Sequence, residues 1–125
     1  MPLNVFLVED SAPLRERMEK MLGAIPGARV VGHAAEAEEA IRAILATRPH
    51  VVVLDIKLAQ GSGFDVMRAL RDTAPQTEFY VLSNFASPGY RGTAERLGAR
   101  GFFDKSHEFE ALRDALAERA RSHAE

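Results

Sequence analysis

The chain has 125 residues, 46% of them hydrophobic and 27% charged, which suits one globular domain with a real core. Sixteen basic against eighteen acidic residues leave a net charge of −2, so bulk charge makes no case for nucleic acid or a membrane surface. With no cysteine, disulfides, zinc-thiolate sites and thiol catalysis are excluded. Leu3 to Val8 is near-continuously apolar, the pattern of a strand buried on both faces, and it ends in the acidic pair Glu9-Asp10. Leu14, Met18, Met21, Leu22 and Ile25 then form a helical stripe, with Ser11 as N-cap, Pro13 in the first turn, and a stop near Gly23 before Pro26-Gly27. Ala28 to Gly32 reads as a second strand. Ala37, Ala40, Ile41, Ile44 and Leu45 mark a second helix, with Glu36, Glu38 and Glu39 at its positive end.

Thr47-Arg48-Pro49 closes that helix, and the apolar run His50 to Leu54 leads into Asp55. The loop through Ala59 to Gly63 enters a third helix carrying Phe64, Met67 and Leu70. Thr77 to Leu82 is a fourth strand, ending at Ser83-Asn84. Ser87 as cap and Pro88 at the first helical position start a fourth helix with Tyr90, Ala94 and Leu97, ended by Gly98. Gly101 to Asp104 is a fifth strand with Lys105 at its tip. Ser106 is expected to cap a last helix presenting Phe109, Leu112, Leu116 and Ala120.

Five strand–helix units without a linker or repeat predict one doubly wound α/β domain over residues 1–125. Ligands of such sheets bind beyond the carboxyl ends of the strands. The predicted tips carry Glu9 and Asp10, Asp55, Ser83 and Lys105, so four of five strands aim a polar group at one crevice. Carboxylates gathered there need a cation, and oxygen-only ligands favour a hard one such as Mg²⁺. The N-terminus enters a strand at once and no run reaches membrane-spanning length, so a cytoplasmic protein without membrane contact is expected.

With these positions assembled, the chain resembles the receiver domains of two-component response regulators. Glu9-Asp10 matches the family's acidic pair, Asp55 its phosphoacceptor, Gly63 its glycine eight positions on, Ser83 its switch hydroxyl and Lys105 its lysine. Phe102 matches the aromatic that swings on activation. The resemblance implies a flavodoxin-like five-stranded parallel sheet of order 2-1-3-4-5 flanked by five helices. It also implies phosphorylation of Asp55 by a sensor histidine kinase or phosphotransfer protein. Mg²⁺ would be held by Asp10, Asp55 and the carbonyl of Lys57, with Glu9 acting directly or through water. Lys105 and Ser83 would contact the phosphoryl oxygens. The face built from the fourth helix, fifth strand and fifth helix would then signal to a partner, an output domain or a second copy, with no direct nucleic-acid binding by this chain.

Some positions depart from the commonest receiver pattern. Lys57 stands two beyond the phosphoacceptor and is expected to pair with Glu9 or the phosphoryl group. Asn84 replaces a small residue and would narrow access for small phosphodonors. Ser106 replaces a frequent proline, so no cis-proline is expected there. Arg91, Arg96 and Arg100 form either a partner patch or a solvated face. A phosphorylation-independent interaction module on the same scaffold is the alternative reading.

Overall fold

The computed structural model describes residues 1–124. Five strands, β1 (Leu3–Val8), β2 (Ala28–Ala34), β3 (Val51–Leu54), β4 (Glu78–Ser83) and β5 (Gly101–Asp104), form one parallel sheet in the order β2-β1-β3-β4-β5. Between and after them run α1 (Ala12–Gly23), α2 (Ala37–Thr47), α3 (Gly63–Leu70), α4 (Pro88–Arg96) and α5 (Phe109–Ala124). The expected fold is the observed one.

The apolar runs bury both faces of the central strands, as a parallel sheet covered by helices requires. Leu3, Val5 and Leu7 of β1 point with Val51 and Val53 into a core closed by Met18 and Leu22 of α1 and by Leu112, Leu116 and Ala120 of α5. The intervening Phe6 and Val8 point the other way with Val52 and Leu54, against Ala40 and Ile44 of α2 and Phe64, Met67 and Leu70 of α3. The period of two along each strand thus sorts one apolar run into two cores. The fourth helix is the exception: Ala94 is its one buried residue.

Several local signals act as expected. The Ser11 hydroxyl accepts from the Leu14 amide at 3.4 Å, and Pro13 sits in the first turn of α1. Ser62 and Asp65 add a capping box on α3, the Ser-x-x-Asp signature, which was not among the expected caps. Three details differ. β2 runs two residues past Gly32, because His33 and Ala34 still pair with Leu7 and Val8. Ser87 occupies the N-cap of α4 but makes no side-chain cap bond. Ser106 does not cap α5: Asp104 Oδ1 takes the Ser106 amide at 2.7 Å in a turn, and the helix starts at Phe109.

Candidate functional site

The register of β1 and β3 sets the centre of the site. Val8 pairs with Leu54, and the Asp55 amide donates to the Val8 carbonyl at 3.0 Å, so Glu9 and Asp55 leave adjacent strands at one level. Neighbouring β1 connects away to one sheet edge and β3 to the other, so the crevice at their tips is the topological switch point. Lys105 is brought in by β5: its amide donates to the Ser83 carbonyl at 3.1 Å, across β4.

The side chains converge. Asp55 is 5% exposed and Glu9 1% exposed, while Asp10 faces solvent. Lys105 Nζ lies 2.6 Å from Asp55 Oδ2 and 3.1 Å from Glu9 Oε1, so one ammonium holds two buried carboxylates. Asp55 Oδ1 also accepts the Ile56 amide at 2.7 Å, and Glu9 Oε2 accepts the Ser11 amide at 3.0 Å. Burial pushes the Glu9 carboxyl above the usual carboxylate range, and the Asp55 charge adds to this. The Ser11 amide and Lys105 counteract only part of it. For Lys105, burial opposes the charge, but the hydrogen bond to Asp55 and the two carboxylate charges outweigh it and hold the ammonium above its ordinary value.

One oxygen from each of Glu9, Asp10 and Asp55 lies within 4.8 Å of the others. Opposite ligands of an octahedral Mg²⁺ stand about 4 Å apart, so this oxygen-only set fits a hard divalent cation after small side-chain adjustments. The buried Ser83 hydroxyl, on the next strand, accepts the Phe85 amide at 3.1 Å and is thereby tied to its own loop. Gly63 closes the floor of the site: a Cβ there would fall on the Asp55 carbonyl oxygen, so only glycine lets α3 start against the end of β3.

The family is decided by matching over nearly the whole length. Residues 5–117 match the response regulator receiver domain. The chain belongs to this family. It is 35% identical over 103 residues to the DNA-binding transcriptional activator DevR/DosR of Mycobacterium tuberculosis, covering 82% of this chain and 48% of that protein. It is 34% identical over 125 residues to protein-glutamate methylesterase/protein-glutamine glutaminase 1 of Myxococcus xanthus, covering 96% of this chain and 36% of that protein. The signal receiver domain of a NarL response regulator from Mycobacterium tuberculosis superposes with a TM-score of 0.86 at 26% identity, covering 96% of this chain and 97% of that one. The receiver domain thus spans about half the length, or less, of these two curated relatives. One relative is a DNA-binding regulator, so the near-neutral charge of these residues gives no ground for excluding nucleic acid from the biology of a protein of that length. Among the described residues, no helix is long and apolar enough to cross a membrane.

Within this receiver domain the expected site residues are gathered with one change of partner. Glu9 pairs with Lys105 and not with Lys57, whose side chain is exposed and in no ion pair among the described residues. Reach explains this: Lys105 enters from the far side of Asp55 with its head in the crevice, whereas Lys57 sits on the outer loop, bridged to Ser62. Asn84 is exposed, and its Oδ1 accepts from the Ser106 hydroxyl at 3.4 Å, linking the loops that follow β4 and β5. Phe102 is half-buried, its ring beneath the Arg91 guanidinium at 4.8 Å. Of the three arginines read as either a partner patch or a solvated face, Arg91 turns inward to Phe102 and Glu108, and Arg100 lies 3.8 Å from Glu78.

Proposed function

We propose that residues 1–125 form one phosphoacceptor domain in which Asp55 takes a phosphoryl group from a sensor histidine kinase or phosphotransfer protein. The observation that carries this is the buried Asp55 carboxylate, 2.6 Å from Lys105 and within one divalent-cation span of Glu9 and Asp10. In this reading Asp10, Asp55 and the Lys57 carbonyl hold Mg²⁺, and Glu9 acts directly or through water. Bound there, the metal would neutralise charge on the transferring phosphoryl group.

Asp55 supplies the nucleophilic oxygen. A P–O bond to Asp55 forms as the P–N bond of the donor phosphohistidine breaks, and the imidazole keeps the released electron pair. Lys105 exchanges its Asp55 contact for a phosphoryl oxygen, as a point charge suited to phosphate. Ser83 turns its hydroxyl from the Phe85 amide to the same group, which draws the loop after β4 inward. Phe102 follows, and the α4-β5-α5 face changes toward its partner, an output domain or a second copy. Because Phe102 has no hydroxyl, its inward position rests on packing.

A phosphorylation-independent interaction module is not favoured, because such a module has no use for two buried carboxylates on one lysine. The test is intact-mass spectrometry after incubation with a small phosphodonor and Mg²⁺. A single phosphoryl adduct that requires Mg²⁺ and disappears in Asp55→Asn is expected; an adduct retained in Asp55→Asn refutes the assignment.

A further inference from the structure

The fourth helix is poorly anchored by apolar burial. Ala94 is its one buried residue, and an open groove of about 450 Å³, lined by Arg91, Ala94, Ala99, Gly101 and Phe102, runs beside its contact with β5. Beside Ala94, Tyr90 stacks on the Phe64 ring at 6.3 Å and Leu97 packs against the core, a modest apolar anchor that leaves polar ties a large share in placing this helix. One side chain makes most of them. Arg91 Nε donates to the Ala86 carbonyl at 3.1 Å, Nη1 to the Phe102 carbonyl at 3.2 Å and Nη2 to Glu108 Oε1 at 2.8 Å. Its guanidinium also covers the Phe102 ring. Glu108 Oε1 in turn accepts the Asp104 amide at 2.9 Å, so the fork reaches the turn between β5 and α5.

These ties join the three parts that the proposed switch must move. Ala86 lies in the loop headed by Ser83, Phe102 is the aromatic expected to swing, and Glu108 stands at the entry to α5. Ser83 is tied to the Phe85 amide, one residue before the carbonyl that Arg91 holds. Drawing that loop toward Asp55 therefore strains the Arg91–Ala86 bond, and moving Phe102 inward takes its ring from beneath the guanidinium. We infer that Arg91 is a latch that holds the α4-β5-α5 face in its resting arrangement through Ala86, Phe102 and Glu108. This rests on the phosphoacceptor reading of Asp55.

The planar fork matters more than the charge. Arg91 and Glu108 are each 39% exposed, so their ion pair alone is worth little. A lysine retains the charge but replaces the planar fork with a single ammonium head. Releasing the latch raises the population already in the switched arrangement, and the apparent affinity of a ligand that prefers that arrangement rises by the same factor.

The test uses ¹⁵N-labelled protein titrated with beryllofluoride, a phosphoryl mimic, in the presence of Mg²⁺, following the Phe85 and Phe102 amide signals. In free Arg91→Ala these signals lie part-way along the line joining free and beryllofluoride-bound wild type, and apparent affinity tightens about three- to tenfold. Arg91→Lys behaves like Arg91→Ala, and Glu108→Gln moves in the same direction by less. If Arg91→Ala is unfolded, these two variants decide the matter. Free-state signals that coincide with wild type, together with unchanged or weaker affinity in the folded variants, overturn the latch alone. A wild type that binds no beryllofluoride overturns the phosphoacceptor reading, and the latch with it.

Discussion

Asp10 gives the sharpest test of the acidic pocket. Its carboxylate lies within 4.8 Å of those of Glu9 and Asp55, is exposed, and makes no hydrogen bond or ion pair among the described residues. Neutralising it in Asp10→Asn therefore removes two repulsions and no contact. At this separation each repulsion is about 0.9 kcal/mol at the dielectric constant of water. Allowing for the nearby Lys105 charge, the net relief is about 1 kcal/mol. For 125 residues, that raises the melting temperature by about 4 °C in EDTA. The effect fades in about 1 M salt, where exposed charges are screened over about 3 Å. With Mg²⁺ the order inverts. A metal at about a hundredfold above its dissociation constant stabilises the wild type by about 2.7 kcal/mol, and Asp10→Asn forfeits most of this. Differential scanning calorimetry in EDTA and across a Mg²⁺ series reads both effects. A variant less stable than wild type in EDTA, or one with the full Mg²⁺ response, refutes the reasoning.

Gly63→Ala places a Cβ on the Asp55 carbonyl oxygen, a backbone atom that cannot turn aside. Urea unfolding is expected to show a loss of about 2–4 kcal/mol, and a loss below about 1 kcal/mol would mean that α3 shifts freely. Glu78 receives Arg119 at 2.8 and 2.9 Å. Burial pushes its carboxyl up, but the Arg119 hydrogen bonds and charge, joined by Arg100, leave it below the ordinary carboxylate range. A depressed carboxylate stabilises the fold above its unfolded value and ceases to do so as pH falls through its folded value. The stability difference between wild type and Glu78→Gln should thus be about 1–2 kcal/mol at pH 7 and vanish in acid. A difference that grows on acidification contradicts the pairing.

Local rules carried far in this chain because the pattern is regular. Every strand and helix was legible from apolar runs, stripes and caps, whereas the sheet order came only as an implication of the family resemblance. The errors fall where a competing side chain nearby or a paired strand overrides a local signal. Ser106 has the chemistry of an N-cap, yet Asp104 takes its amide first and Glu108 holds the preceding turn, so α5 starts later. The second strand was expected to end at Gly32, but pairing with β1 extends it through His33 and Ala34. The Ser62–Asp65 capping box was present as Ser-x-x-Asp and is the one cap that the pattern offered and the reading missed.

The gathering of Glu9, Asp10, Asp55, Ser83 and Lys105 at one end of the sheet was determined by the sequence itself. Each follows or ends a strand of a parallel sheet, and parallel strands must place all such positions on the same side. Which charge meets which was decided only in three dimensions. Lys57 was expected to pair with Glu9 or the phosphoryl group, and the direction of approach gave Glu9 instead to Lys105, 96 residues away. Three arginines on or near the fourth helix looked alike in sequence. Only the packing of that helix against β5 turned Arg91 inward to bind two carbonyls and a carboxylate, because a guanidinium fork acquires its specificity from acceptors that the tertiary fold brings together.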